Sequence, residues 1–374
     1  RTVMTNSKSS KSVNSKSVNS KSVKSLNFFN VSKDVTYSDS KPNIVSFFSG
    51  CGGLDFGFEK AGFHILWANE FDKDIWATYL YNHKETVLDT RSITDIDASE
   101  VPDCDGMVGG PPCQSWSIGG SKRGLNDKRG QLFWDYIRMI NAKKPKFFVV
   151  ENVRGMLLER YGTALSDFIK AFSGAGDGYD VTFKLVNAAD YGVPEDRQRV
   201  LFVGFRKDLN IKYKFPAPTT PNGKHLTLRD AIGDLADKKP LGFPNGVNNS
   251  GKWNESIPNH EYMTGGFSSI FLSRNRIRHW DQVSFTIQAS GRQAPLHPQA
   301  PDMVKIDSDH RIFAPGKEKL YRRLSVREAA RIQTFPDSFI FKYNNINAGY
   351  KMVGNAVPVN LAYIVAKSIL PYIK

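Results

Sequence analysis

Three groups of residues in this chain have the types and spacing for covalent chemistry. The first is Gly109-Gly110-Pro111-Pro112-Cys113-Gln114-Ser115. Its glycines let backbone approach a ligand, and its prolines fix φ and remove two N–H donors. A thiol placed directly after so stiff a segment has little freedom to swing away, which suits a nucleophile. A structural turn that contains a cysteine is the plainer reading. The second group is Glu151-Asn152-Val153, which follows the apolar run 147–150. A carboxylate there leaves the carboxyl edge of a sheet, where α/β folds hold their ligands, although many such carboxylates are only solvated or capping groups. The third is Glu195-Asp196-Arg197-Gln198-Arg199. In an extended segment Arg197 and Arg199 fall on one face, able to hold a carbonyl or a phosphate, or to stand as ordinary surface charges.

These groups need elements to position them. Residues 43–48 read as a buried strand, followed by the tight loop Ser49-Gly50-Cys51-Gly52-Gly53 and a helix carrying Leu54, Phe58 and Ala61 at helical spacing. Gly50-x-Gly52-Gly53 between strand and helix brings a ligand to backbone N–H groups at a helix N-terminus. Glu70 ends the next strand, where a carboxylate accepts from ribose hydroxyls. Phe48 lines that ligand or the core. The glycine spacing is not G-x-G-x-x-G, which disfavours a dinucleotide. Further strands are predicted at 64–68, 105–108, 146–150, 181–186 and 199–205, with helices at 73–82, 131–142 and 164–172. This alternation predicts an α/β fold built on a doubly wound sheet. After residue 206 the rhythm breaks into a stretch rich in Pro, Gly and Asn. Helical character returns from Arg322, and a last helix over 358–369 has an apolar face of Leu361, Val365 and Ile369. If it packs back on the first part, residues 43–206 and 322–374 form one discontinuous domain and 207–321 a second, irregular one.

Composition bounds the rest. The chain has 374 residues, 40% hydrophobic and 24% charged, which is the balance of a water-soluble globular protein rather than a membrane one. No run approaches the ~20 apolar residues that span a bilayer, and no secretory signal is seen. Cys51, Cys104 and Cys113 form no C-x-x-C pair, so neither a zinc site nor a disulfide framework is expected, and a reducing compartment is. The net charge of +14 favours a polyanionic partner. Residues 1–42 hold eight Lys/Arg and two Asp and include a five-residue Ser-Lys-Ser-Val-Asn repeat; they leave +8 for the remainder. With few large apolar groups this extension is expected to be disordered alone. The chain does not begin with Met, which points to a fragment or processed product, with Met4 an alternative start.

The ordered set Phe48-Ser-Gly-Cys-Gly-Gly53, Glu70, Pro111-Pro-Cys-Gln114, Glu151-Asn-Val153 and Arg197-x-Arg199 resembles the cytosine-5 DNA methyltransferases. So do Arg323-Leu-Ser-Val-Arg-Glu328 and Gly354-Asn-Ala-Val-Pro358. The likeness runs from about Asn43 to the C-terminus. Ser273-Arg-Asn-Arg-Ile-Arg278 and Ala289-Ser-Gly-Arg-Gln293 look most like bacterial restriction-modification enzymes that methylate within GGCC. The resemblance implies a Rossmann-like methyltransferase domain with a smaller target-recognition domain, acting on a cytosine flipped out of duplex DNA. It implies Cys113 as nucleophile toward C6, Glu151 as the proton partner of N3, and Arg197 as the electrostatic holder of the 2-oxo group.

S-adenosylmethionine is the implied methyl donor and S-adenosylhomocysteine its product. The likeness sets around them Phe48, Gly50, Gly52, Gly53, Leu54, Glu70, Ser92, Ile93, Pro112 and Leu132, with Asn355, Ala356 and Val357 closing the pocket. Two positions depart from the family pattern. Ser92-Ile93 stands where Asp-Ile is common, which removes a charge near adenine. Glu195 stands where Gln is frequent, and is expected to point away from DNA phosphate and from Glu151. Arg199, Arg274, Arg276, Arg278 and Arg292 are the expected DNA contacts, since Arg pairs bidentately with guanine; His279-Trp280 is assigned to packing. A monomer in the cytoplasm of a bacterium, bound to DNA and without metal, completes the expectation. The rivals are an RNA (tRNA) cytosine-5 methyltransferase, a catalytically silent DNA-binding regulator and, more distantly, a nicotinamide dehydrogenase.

Overall fold

The computed structural model describes residues 34–112, 128–157, 164–247 and 256–374. One seven-stranded sheet organises the first half: β1 (Asn43–Phe47), β2 (His64–Asn69), β3 (Val87–Asp89), β4 (Gly106–Gly109), β5 (Phe147–Val153), β6 (Tyr179–Asn187) and β7 (Gln198–Arg206). Their order is β3-β2-β1-β4-β5-β7-β6. β1 to β5 pair in parallel, while β7 runs antiparallel to both β5 and β6. Strand order reverses between β1 and β4, and at such a switch point the carboxyl ends of the strands open a crevice.

Both faces of the sheet are buried, which is why its strands read as continuous apolar runs. Alternate residues feed two cores. Ile44, Phe147, Val149, Leu201 and Val203 join Leu54 and Phe58 of α1 (Gly53–Ala61) and Leu361, Val365 and Ile369 of α8 (Val359–Ile369). Val45, Phe47, Phe148, Val150 and Phe202 join Phe133, Tyr136 and Ile140 of α3 (Lys128–Lys143) and Phe168 and Phe172 of α4 (Ala164–Ser173). Each such large apolar side chain contributes roughly 1.5–3 kcal/mol by burial. The last helix therefore packs on the first, on the same face of the sheet; α2 (Lys73–Asn82) follows β2, and α5 (Leu228–Ile232) lies in the later, irregular part. The apolar stretch Ile346–Tyr372 contains both α7 (Ile346–Asn355) and α8, is broken at Ala356-Val357-Pro358, and is mostly buried.

The irregular part has two short sheets, β8 (Leu241–Pro244) with β9 (Glu261–Thr264) and β10 (Val304–Lys305) with β11 (Arg311–Ile312). Phe271, Ile277, Leu296, Met303 and Tyr321 form a small core of its own. A larger cluster is shared. Leu228, Met263, Ile287 and Ala294 pack with Leu324 and Ile332 around α6 (Val326–Ile332), with Tyr350 and Val353 of α7, and with Cys51 of the glycine loop. Residues 1–33, which carry the Ser/Lys repeat, lie outside the described residues.

Candidate active site

The glycine loop is shaped by backbone that L side chains rarely adopt. Phe48, Gly50 and Gly52 have φ of 51°, 55° and 93°. A bulky residue in the left-handed region marks strain held by its surroundings. At Gly52 no other residue fits, because a Cβ there would stand 2.1 Å from His83 Nε2. The turn is tied to β2 through Glu70, whose Oε2 accepts from Gly50 N–H and whose Oε1 accepts from Asp72 N–H, both at 2.8 Å. Burial pushes the Glu70 carboxyl up, and these two N–H groups oppose it.

Beside this carboxylate opens a cavity of about 570 Å³ lined by Phe48, Asn69, Glu70, Phe71, Ser92, Ile93, Thr94, Gln131 and Leu132. Its size and its few polar groups among apolar walls suit a nucleoside-sized ligand. Phe48, Glu70, Ser92, Ile93 and Leu132, scattered over the sequence, thus meet in one place. Sequence reasoning missed Phe71. It is 70% exposed, and a large aromatic left in water beside a cavity is the signal that it has a ligand to cover. Ser92 caps the short turn at Ile93 and bonds Thr94 Oγ1 at 2.8 Å, so its oxygen is already partnered. Asn355 is exposed while Ala356 and Val357 are buried, with the Val357 carbonyl against Gly53.

The second constellation lies where β4 and β5 end and β7 begins. Gly109 pairs with Val150, so the Gly-Gly-Pro-Pro loop and Glu151 leave adjacent parallel strands on one edge. Glu151 Oε2 lies beside Gly110, and Asn152 Nδ2 donates to Pro111 O at 3.4 Å. Cys113 itself lies outside the described residues. The other two cysteines are poor nucleophiles: burial pushes the Cys51 and Cys104 thiols up to about 12.

The two arginines part company. Arg199 Nε is 2.8 Å from Glu151 Oε1, and both side chains keep some exposure. Arg197 is 2% exposed. Its Nη2 donates to Gly354 O and Ala356 O, and its Nη1 donates to Ile287 O and Glu195 Oε1. Its Nε has no hydrogen-bond partner among the described residues but is buried with the rest of the side chain, so no edge of it opens toward the Glu151 carboxylate. Arg199, expected on DNA, instead faces the Glu151 carboxylate, and Arg197, expected at that carboxylate, is enclosed. The physical reason is position: β7 begins at Gln198, so the strand's two-residue period does not extend back to Arg197. Glu195 does point away from Glu151, into the interior beside Arg197, and burial pushes its carboxyl up.

Next to Arg199 runs a groove of about 470 Å³ lined by Val153, Arg154, Gly155, Asp196, Gln198, Arg278, Phe285 and Thr286. Arg278 lies over the Phe285 ring, 4.3 Å from its centre. Arg274 and Arg292 are exposed. Arg276 is largely buried: its Nε donates to Phe271 O and its Nη2 to Ile270 O, leaving one Nη for any other partner. Trp280 packs edge-on to His297. Among the described residues no cluster of His, Cys, Asp or Glu has the arrangement of a metal site.

The chain is similar to known proteins over most of its length. The C-5 cytosine-specific DNA methylase family matches residues 42–371. The chain is 54% identical to the type II methyltransferase M.NgoPII of Neisseria gonorrhoeae over 90% of this chain and 97% of that one. It is 55% identical to M.FnuDI of Fusobacterium nucleatum, over 87% and 93% respectively. Among solved structures, the S. pombe Dnmt2 methyltransferase superposes with a TM-score of 0.59 at 16% identity, covering 88% of this chain and 99% of that one. The Entamoeba histolytica methyltransferase EhMeth gives 0.61 at 18%, covering 89% and 99%. At these identities the two structures speak for the fold.

Proposed function

Because the chain belongs to the C-5 cytosine-specific DNA methylase family, as a type II DNA (cytosine-5) methyltransferase, we propose that it methylates a cytosine flipped out of duplex GGCC. In that reading it protects cellular DNA within a bacterial restriction-modification system. Residues 43–206 and 322–374 are the catalytic unit and 207–321 the target-recognition unit. The observation that carries the proposal is the Glu151–Arg199 pair, set at 2.8 Å beside the Gly-Gly-Pro-Pro loop.

Cytosine C5 is a weak nucleophile until a thiolate adds at C6. Cys113, two residues beyond Pro111, is the group for that addition, with its proton lost beforehand and its S–C6 bond formed at the expense of the ring's double bond. Negative charge then develops toward N3 and O2. Glu151 holds a proton at N3, and Arg199, rather than Arg197, sets its guanidinium at O2. The methyl donor, S-adenosylmethionine, supplies an electrophilic methyl to C5. The residues that fit it are those of the 570 Å³ cavity, with Glu70 toward the ribose, Phe48, Phe71, Ile93 and Leu132 around the base, and Gly50, Gly52, Gly53, Leu54, Pro112 and 355–357 nearer the methyl end. Loss of the C5 proton and expulsion of the Cys113 thiolate restore the ring. The groove beside Arg199 admits the flipped nucleotide, and Arg274, Arg278 and Arg292 are offered to DNA.

The test is transfer of labelled methyl from S-adenosylmethionine to a GGCC duplex, to a duplex lacking GGCC, and to tRNA. Label on the first alone is expected. Label only on tRNA identifies the RNA rival; none anywhere identifies a silent regulator.

A further inference from the structure

The recognition unit does not merely sit against the catalytic sheet; a short segment of it is hydrogen-bonded to the lead of β7. Ser284 and Glu195 form a parallel bridge. Ser284 N–H donates to Pro194 O, and Asp196 N–H donates to Ser284 O, each at 2.9 Å. Thr286 Oγ1 donates to Asp196 O, and Ile287 N–H donates to Glu195 Oε1 at 2.8 Å. Arg197 closes the row from the other side by donating to Ile287 O at 3.1 Å.

The same guanidinium reaches the backbone that abuts the glycine loop. Its Nη2 bonds Gly354 O at 2.7 Å and Ala356 O at 3.1 Å, the carbonyls at the end of α7. Gln333 Nε2 shares Ala356 O at 3.2 Å. That backbone is pressed directly on the recognition segment: a Cβ on Gly354 would stand 2.2 Å from Gln288 O. It also continues into Val357, whose carbonyl lies against Gly53 of the glycine loop. Two residues further along β7 stands Arg199, at Glu151. A single enclosed side chain, held by Glu195, therefore joins three surfaces remote in sequence: the segment that leads to Arg292, the backbone packed on the glycine loop, and the strand that carries Arg199.

We propose that Arg197, seated by Glu195, is a positioning residue that couples engagement of DNA by residues 284–292 to the glycine loop of the donor site, through the backbone at 354–357. This rests on the reading that both DNA and S-adenosylmethionine bind. Movement of the recognition segment against DNA shifts the Ile287 carbonyl, and the rigid guanidinium passes that shift to the Gly354 and Ala356 carbonyls. Lysine at this position keeps the charge but presents one ammonium in place of a planar fork, so it cannot hold the separated carbonyls together.

The experiment measures the affinity of a fluorescent GGCC duplex with and without saturating S-adenosylhomocysteine, and of S-adenosylhomocysteine with and without duplex. By linkage the two ratios are equal, and coupling of this kind is expected to be at least about fivefold in the wild type. In R197K the ratio should fall below about twofold while each ligand alone binds within about threefold of wild type. G354A, which forces the same junction apart from the opposite side, should lower the ratio as well, whatever it does to donor affinity alone, and decides the matter if R197K does not fold. An unchanged ratio in either folded variant overturns the proposal, as does a wild-type ratio of one. If the wild-type protein transfers methyl to the duplex but shows no coupling, the inference alone fails; if it transfers none, the functional reading fails first.

Discussion

Replacing Arg199 by alanine should separate chemistry from folding, and the structure says by how much. The guanidinium is 2.8 Å from Glu151 Oε1 with both side chains near 15% exposed. A partly solvated pair of this kind contributes about 1 kcal/mol or less to stability. The catalytic loss should be far larger. A preorganised donor aimed at developing oxyanion charge is worth roughly 10²–10³ in rate, about 2.7–4 kcal/mol. R199A should therefore lose that factor in single-turnover methyl transfer at saturating DNA and donor, while its melting temperature falls by only a few degrees. R197A should behave oppositely. It leaves Glu195, which is fully buried, without its cation, and removes the donors to three carbonyls, a loss on the order of 3–5 kcal/mol of stability. Rapid-quench transfer and thermal unfolding, run on the same preparations, give both quantities. The reasoning is refuted if R199A transfers methyl within threefold of wild type, or if R197A melts like wild type while losing its rate.

Four further outcomes are expected. C113A should abolish transfer yet bind S-adenosylhomocysteine normally by calorimetry, and residual turnover would reject covalent catalysis by this thiol. F71A should weaken S-adenosylhomocysteine by about tenfold, from the loss of about 1.4 kcal/mol of aromatic contact, with no change in melting temperature; equal affinity would remove Phe71 from the donor site. G52A, with φ at 93° and His83 Nε2 in the way, should lower both stability and donor affinity, and a variant matching wild type on both would contradict the described loop. The fourth concerns pH. Burial, helped by Arg322, pulls the His297 ring down from 6.5 to about 4 even though Glu328 lies 3.6 Å away. The unfolded ring binds its proton more readily than the folded one, so stability is complete above about 6.5 and declines as pH falls toward 4, by about 3 kcal/mol at most. Unfolding between pH 7 and pH 5 should show this slope, and H297Q should flatten it; parallel slopes would count against His297.

Much of the catalytic sheet was legible because burial on both faces leaves continuous apolar runs bounded by glycine and polar residues. β3 was not, since Val87-Leu88-Asp89 is too short to show a period. The antiparallel turn of β7 escaped notice as well, although the stretch between β6 and β7 has no room for a crossover helix and could have signalled it. Glu70 and Phe48 were readable from their place at strand ends, whereas Ile93 came only from the family likeness. Phe71 was not, because its exposure is meaningful only once the cavity beside it is known. The exchange of Arg197 and Arg199 shows the limit of periodicity most clearly. Spacing says that residues two apart share a face, but only where both belong to the strand.

The core shared by Leu228, Met263, Ile287 and Ala294 with Leu324, Tyr350 and Val353 has a consequence for how new specificities arise in this chain. A recognition unit with its own sealed interior could be exchanged between relatives as a cassette. Here a graft cut at residues 207 and 321 would carry half of a hydrophobic interior into a foreign host and leave the other half exposed. If residues 207–321 read the target as proposed, new target sequences are thus more accessible through substitutions at exposed positions such as Arg274 and Arg292 than through recombination of whole segments.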